Sequence, residues 1–336
     1  GTRNTAMGVD ALQECTTGTD NTAFGHNALE NPTTASQNTA VGSYALEANT
    51  TGIRNAAVGG DALKLNTTGS RNAAFGMYAL DENTTASYNT AIGYAALTKN
   101  TTAENNTAVG GGAMLLNTTG YDNTAVGAYS LDANTTGANN VGVGNSALGA
   151  NSTGTQNTAL GGYALRDNTT ANNNTALGYR TLWVNTTGSE NAAGGTYSLD
   201  ANTTGSNNTG FGHGSLTSNT TASNNTAVGY YALGANTTGA SNVAIGYKAL
   251  EDHTTSYTVA IGGEALTNNT TGGNNVALGF RTLYTNTTGA SNVAIGYDTL
   301  YTNNASNNIA IGHNALYANT TGTENVAVGA FALDTN

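Results

Sequence analysis

The chain has 336 residues, of which only 9% are charged, and its formal net charge is −11. Its nine Lys and Arg residues form no cluster, so the composition excludes a nucleic-acid surface, which requires concentrated positive charge. The single cysteine, Cys15, excludes an intrachain disulfide, and the lack of a run of about 18 apolar residues predicts no membrane span.

A repeat of 17 residues runs through the whole chain. The first repeat opens at Asn4 and the last at Asn325, which gives 20 repeats. The step is 16 residues only into Thr258 and Asn308, and both deletions fall near the end of a repeat, which marks that segment as a turn. We therefore expect one continuous repeat array over residues 1–336, a segment of a longer protein, rather than two or three domains.

Each repeat begins with a short strand signal. Counting its first Asn as position 1, positions 1–5 read NTAVG or NVAIG, in which positions 2 and 4 are larger than position 3. This alternation has the period of a β-strand, and one Leu per repeat is too few for a helical stripe. The sequence predicts an all-β fold, an elongated parallel β-solenoid (β-roll or β-helix) of about 20 coils, with one coil per repeat.

Two corners close each coil. Position 5 is always Gly, which predicts a bend with positive φ, as at Gly127, Gly144 and Gly161. The NTTG segment at positions 12–15 supplies the second corner, where an Asn side chain can bond its own backbone.

The alternation also predicts which side chains form the core. Positions 2 and 4 are expected to point inward with the Leu at position 9, so the predicted core includes Leu131, Leu148, Leu165, Val126 and Leu160. The Ala at position 3 is then expected to point outward. Its small size is explained if a second chain packs against it. The alternative is a tight interior in which this Ala itself faces inward. The first interpretation predicts a homo-oligomer, either a trimer or a helical filament.

Several repeats resemble those of known fibres. SNVAIGYKAL (241–250), SNVAIGYDTL (291–300) and NNIAIGHNAL (307–316) resemble the head repeats of trimeric autotransporter adhesins. The longer unit NTAxGxxALxxNTTG resembles repeat arrays of bacteriophage tail-fibre proteins and related bacterial surface fibres. The resemblance implies a parallel β-roll, three chains side by side, and an extracellular location on a virion tail fibre or cell-surface fibre. The 17-residue period exceeds that of the adhesin head repeat, so the NTTG corner is expected to alter the cross-section.

The Asn at position 12 opens an N-x-[ST] sequon in most repeats. This predicts glycan acceptors on an exposed turn, whereas the alternative is a ladder of stacked Asn side chains that satisfies the corner. The candidate acceptors are Asn49, Asn66, Asn83, Asn100, Asn117, Asn134, Asn151, Asn168, Asn185, Asn202, Asn219, Asn236, Asn269, Asn286 and Asn319.

Candidate catalytic and metal-binding residues are not found. His26, His213 and His313 share position 6 but lie many coils apart, and His253 replaces a corner Asn. No nucleophile–base set, phosphate loop or metal-ligand spacing occurs, which predicts a protein without enzymatic activity, metal or cofactor.

These observations predict a structural fibre protein with a mechanical role, whose corners carry glycans if the sequons are used. The alternative is an adhesin or receptor-binding head that contacts a receptor or glycan along its side through outward aromatic residues, with candidates Tyr44, Tyr129, Trp183, Tyr284 and Tyr301. A third interpretation, ice binding by Thr columns at positions 13 and 14, is weakened because consecutive side chains point to opposite faces.

Overall fold

The computed structural model describes residues 1–335 and contains strands, turns and bends but no helix in that range. Each repeat contributes one strand of three residues, at positions 2–4. The strands are β1 (Thr5–Met7), β2 (Thr22–Phe24), β3 (Thr39–Val41), β4 (Ala56–Val58), β5 (Ala73–Phe75), β6 (Thr90–Ile92), β7 (Thr107–Val109), β8 (Thr124–Val126), β9 (Val141–Val143), β10 (Thr158–Leu160), β11 (Thr175–Leu177), β12 (Ala192–Gly194), β13 (Thr209–Phe211), β14 (Thr226–Val228), β15 (Val243–Ile245), β16 (Val259–Ile261), β17 (Val276–Leu278), β18 (Val293–Ile295), β19 (Ile309–Ile311) and β20 (Val326–Val328).

The chain divides into two compact units, residues 1–172 with β1–β10 and residues 173–336 with β11–β20. Within each unit every strand pairs in parallel with the next one along the chain. The register places equivalent positions side by side, for example Ala108 beside Ala125 in the first unit and Ala227 beside Ala244 in the second. The predicted all-β parallel solenoid with one coil per repeat is confirmed, while one continuous array over residues 1–336 stays a prediction.

The hydrogen-bond ladder continues beyond the strands into the corners. In the first unit the amide of Thr124 donates to the carbonyl of Asn140 at 2.9 Å, and that of Gly127 donates to the carbonyl of Val109 at 2.7 Å. The two 16-residue steps leave the register intact, because β15 still pairs with β16 and β18 with β19 position by position. Both shortened segments lie outside strands, as predicted for turns.

The glycine at position 5 forms the first corner, as predicted. Gly127, Gly144 and Gly161 have φ of 132°, 135° and 137°. A Cβ on Gly127 would lie 2.5 Å from the carbonyl oxygen of Gly144 in the next coil, so both the backbone conformation and the close approach of the coils require glycine.

In most coils three further positions, 7, 9 and 17, are left-handed without being glycine. In the coil that begins at Asn123 they are Tyr129, Leu131 and Asn139, with φ of 54°, 51° and 59°. Asn and Asp tolerate this conformation better than other residues, which accounts for their frequency at position 17. The Leu at position 9 adopts the left-handed conformation because its side chain then fills the coil interior.

The core is lined by the Leu column and by Ala. Leu131, Leu148 and Leu165 are fully buried, which confirms their predicted core position. The Ala at position 3 is also fully buried, as at Ala108 and Ala125. The tight-interior alternative is therefore the one observed.

The predicted core positions of Val126 and Leu160 are wrong. Their side chains project from the outer face of the strand and remain 37% and 41% exposed. Side chains alternate along the strand as predicted, but with the opposite phase: position 3 points inward, and positions 2 and 4 point outward. The reason is steric, since the position-3 side chain faces a wall of position-8 and position-9 side chains in a coil too thin to hold Val or Leu there as well.

Two coils show how tightly this interior is filled. Where position 8 is Ser130, position 3 of the next coil is Gly142, and the Ser130 hydroxyl donates to the Gly142 carbonyl at 2.8 Å. Ser198 and Gly210 repeat the arrangement in the second unit at 2.9 Å. The added hydroxyl occupies the space that the Ala methyl group fills in other coils.

Candidate functional site

In each unit the outer faces of the strands carry a column of large apolar side chains at position 4, which we call the apolar ridge. Fractional exposure is 43% at Phe75 and 37% at Ile245, high for such side chains in a regular strand. The ridge comprises Met7, Phe24, Val41, Val58, Phe75, Ile92, Val109, Val126, Val143 and Leu160 in the first unit, and Leu177, Phe211, Val228, Ile245, Ile261, Leu278, Ile295, Ile311 and Val328 in the second.

The outer strand face becomes more apolar within the second unit. Position 2, the other outward strand position, is Thr or Ala in most coils up to β14. From β15 onward it is aliphatic in every coil: Val243, Val259, Val276, Val293, Ile309 and Val326. Over these six coils the ridge becomes two apolar columns wide.

One ridge position, Gly194, lacks a side chain, but the face is not left open there. A Cβ on Gly194 would lie 2.6 Å from two ring carbons of Phe211 in the following coil. The phenyl ring therefore lies across the glycine, and the apolar surface continues through this coil.

The Asn side chains at position 12 form a buried ladder rather than exposed acceptors. In the first unit the Nδ2 of Asn134 donates to Oδ1 of Asn117 at 2.7 Å and to the Gly137 carbonyl at 3.0 Å. Both Nδ2 hydrogens are used, and the side chain has no solvent exposure. A glycan is attached through this nitrogen, so the folded coil does not present it for modification.

The prediction of glycan acceptors is therefore wrong for the folded chain, and the ladder alternative describes the corner. All of the candidate positions are buried: Asn49, Asn66, Asn83, Asn100, Asn117, Asn134, Asn151, Asn168, Asn185, Asn202, Asn219, Asn236, Asn269, Asn286 and Asn319. Their amides satisfy the corner backbone, which is costly to leave unbonded in the interior.

A second Asn ladder runs along position 1. The amide nitrogen of Asn123 donates to Oδ1 of Asn106 at 3.0 Å, and Nδ2 of Asn123 donates to the Gly137 carbonyl at 2.9 Å. Each side chain thus bonds both its neighbouring coil and the opposite corner. The two ladders stabilise the corners through polar bonds, and the strand face is left to apolar side chains.

His253 interrupts the position-12 ladder at the first 16-residue step. Its Nδ1 accepts from Nδ2 of Asn269 at 2.8 Å, and its Nε2 lies 3.4 Å from Oγ1 of Thr255. Burial lowers the pKa of His253 to about 4, so the ring is neutral over the physiological range. In the same segment Thr258 replaces the position-1 Asn, and its buried Oγ1 has no partner among the described residues.

The Thr pair at positions 13 and 14 divides between the two faces of the corner, as predicted. The Thr118 hydroxyl donates to the Thr135 carbonyl at 2.9 Å, whereas Thr119 and Thr136 project into solvent. Because the position-13 hydroxyls bond the next coil, the described coils expose one Thr column at this corner. That arrangement differs from the flat double array expected of an ice-binding surface.

The candidate contact aromatics are partly brought together. Tyr284 and Tyr301 stack on each other with ring centroids 5.3 Å apart, and Tyr301 stacks on Tyr317 at 5.2 Å. The guanidinium of Arg281 lies 5.3 Å from the Tyr301 ring centroid.

The other candidate aromatics make different contacts. Trp183 lies under the Arg180 guanidinium at 3.6 Å. Tyr44 meets the edge of His26, and Tyr129 is exposed. Sequence reasoning missed Tyr317, although it occupies the same repeat position as Tyr284 and Tyr301.

Two of the histidines at position 6 belong to aromatic stacks. His213 stacks on Tyr230 at 5.4 Å and His313 on Tyr297 at 5.3 Å. Within residues 1–335 no group of three or more His, Cys, Asp or Glu side chains is placed to hold a metal ion. No helix in that range is long and apolar enough to cross a lipid bilayer.

Comparison of the chain with protein-family models and with curated proteins finds no match.

Proposed function

We propose that the chain is a non-enzymatic structural segment of an extracellular fibre, and that its coils associate laterally with copies of the same chain along the apolar ridge. The observation that carries the proposal is the column of Val, Ile, Leu and Phe side chains on the outer strand face. Exposure of such a column to water is unfavourable. Covering it stabilises the assembly by about 25 cal/mol per Å² of apolar surface buried.

The periodicity of the ridge favours a copy of the chain as the covering partner. Ridge side chains recur once per coil at the spacing of parallel strands, about 4.8 Å. Only a partner whose own side chains recur at that spacing meets every ridge position in the same way, and a second copy has this property. The partner's contact is then repeated coil after coil, so a modest contribution per coil sums to a stable interface.

The resemblance to trimeric adhesin heads and tail-fibre repeats agrees with lateral association and supplies the extracellular location. The inward Ala column no longer argues for it, because those side chains lie inside the coil. Association is supported instead by the side chains at position 4, the neighbouring strand position, which point outward.

Sedimentation velocity of the full chain tests the association. The parent is expected to sediment as an oligomer, and the double variant Ile245→Gln/Ile261→Gln to dissociate at a higher protein concentration than the parent, because both changes place a polar side chain in the widened part of the ridge. The control Thr221→Gln/Thr238→Gln changes two exposed corner residues in the same region and should leave the oligomer intact. A parent that sediments as a folded monomer would refute the proposal.

A second function, contact with a receptor along the side of the fibre, is favoured by the aromatic stack of Tyr284, Tyr301 and Tyr317. These rings cover one another's faces and leave their edges and hydroxyls for contact. Loss of receptor binding in Tyr301→Leu, with sedimentation unchanged, would separate this function from self-association.

A further inference from the structure

A cleft in the second unit arises from one missing side chain. Position 10 carries a larger side chain in every repeat except those with Gly149 and Gly234. At Gly234 the gap is a shallow cavity of about 220 Å³, bounded along the column by Thr217 of the preceding coil and Glu251 of the following one. The volume suits a ligand of about the size of one sugar ring.

An aromatic ring forms one wall of this cleft. A Cβ on Gly234 would lie 3.3 Å from Cδ1 of Tyr231, so the ring rests against the glycine. Tyr230 holds the Tyr231 ring from one side with centroids 4.7 Å apart, and His213 contacts it at 5.5 Å. The half-buried Tyr231 ring is thus packed against two neighbouring rings.

Three polar side chains at the cleft face solvent: the hydroxyls of the half-buried Thr217 and Ser218, and the carboxylate of the exposed Asp252. Their side chains make no hydrogen bond or ion pair to another residue in the described part of the chain. Thr217 differs in this respect from two other threonines of its column. The hydroxyls of Thr98 and Thr267 donate to backbone carbonyls of the preceding coil, each at 3.0 Å.

The charge distribution in the cleft indicates the class of ligand. Lys248 forms an ion pair with Glu251 at 3.0 Å, which neutralises one of the two carboxylates. The remaining polar groups are one carboxylate and two hydroxyls beside an aromatic ring. This set matches a neutral polyhydroxylated ring, whose hydroxyls donate to the carboxylate while its apolar face packs on the aromatic ring, better than it matches a cation.

We propose that this cleft binds a single pyranose unit of a glycan. The apolar face of the sugar packs on Tyr231, one hydroxyl donates to Asp252, and others bond the hydroxyls of Thr217 and Ser218. The site extends the receptor-contact function and does not rest on lateral association. A terminal glycan residue and a free monosaccharide share this chemistry.

The test is NMR titration of the full chain with glucose, galactose, mannose and N-acetylglucosamine, each also as its methyl glycoside. At least one sugar is expected to bind at millimolar concentrations. Thr217→Val and Asp252→Asn should each weaken it about tenfold, the effect of losing one well-placed hydrogen bond. Thr98→Val is the matched control, because it removes a position-10 hydroxyl outside the cleft, and it should leave affinity unchanged.

Binding that persists with the methyl glycoside identifies the terminal residue of a glycan, and binding of the reducing sugar alone identifies a free monosaccharide. The proposal is overturned if none of the four sugars binds, if both cleft variants bind as the parent does, or if tetramethylammonium binds in their place. Sedimentation of the variants should match the parent. A monomeric parent that still binds sugar would refute lateral association alone.

Discussion

The pairing of Ser130 with Gly142 allows the interior packing to be tested by a single methyl group. At most coils position 3 is Ala, yet a Cβ on Gly142 would lie 2.7 Å from Oγ of Ser130 and 3.2 Å from the Ala147 carbonyl oxygen. Ordinary van der Waals contact begins at about 3.4 Å. Gly142→Ala is therefore expected to destabilise the fold by about 1–3 kcal/mol, the usual cost of overpacking a filled core.

The clash is relieved if the hydroxyl is removed. Ser130→Ala alone should cost about 1 kcal/mol, since it loses the hydrogen bond to the Gly142 carbonyl. The double variant restores the Ala–Ala pair that neighbouring coils contain, as at Ala113 and Ala125, and should be more stable than Gly142→Ala. The expected coupling energy is about 1–3 kcal/mol in favour of the pair.

Urea unfolding followed by circular dichroism measures all four proteins of this cycle. Equal midpoints for the parent and Gly142→Ala, or strictly additive effects in the double variant, would refute the packing described for the coil interior. Because each coil contacts only its neighbours, unfolding can proceed in stages, so midpoints are compared within one transition.

Three other substitutions test separate parts of the structure. Ala125→Gln should disrupt the surrounding coils, because it forces a polar side chain into a filled interior. Val126→Gln should lower the melting temperature far less, because it removes only one ridge contact between copies. The buried His253 ring favours folding only in its neutral form. The free energy of unfolding should therefore fall by about 3 kcal/mol as the pH drops from 6.5 towards 4. In His253→Asn this part of the pH dependence should vanish when urea midpoints are compared over the same pH range. Asn134→Asp places a carboxylate against Oδ1 of Asn117 in the buried ladder and should cost about 3 kcal/mol or more, measured by the same unfolding assay.

Much of the fold could be predicted from the repeat itself. The invariant Gly at position 5, the Leu at position 9 and the two tolerated deletions each have a local cause, either backbone conformation or a single buried site. The phase of the strand could not be read from alternation, because alternation states only that neighbouring residues face opposite ways. The informative signal was constancy: Ala125 and its equivalents keep one small volume, while Val126 and its equivalents vary among Val, Ile, Leu, Phe and Met.

The candidate sites, too, are only partly predictable from the sequence. An N-x-[ST] motif identifies the residue types but does not tell whether the Asn side-chain amide is accessible. Asn134 is buried because its Nδ2 donates to the backbone of the corner. The near constancy of Asn at this position fits a stacked ladder better than a surface acceptor. The cleft at Gly234 depends on a missing side chain between longer ones in adjacent coils. The repeats show the missing side chain, but only the stacked coils show that Tyr231 and Asp252 border the gap.

The central proposal is that copies of the chain pack with their apolar ridges in contact. Disulfide cross-linking between copies tests it most directly. In a Cys15→Ser background, Val126→Cys places the only thiol on the ridge of the first unit, and Thr136→Cys places it on an exposed corner of the same coil. Under mild oxidation of dilute protein, the account predicts rapid covalent dimers for Val126→Cys and almost none for Thr136→Cys, because a disulfide requires Cα atoms within about 7 Å. Equal rates for both variants, or faster cross-linking at the corner, would contradict it.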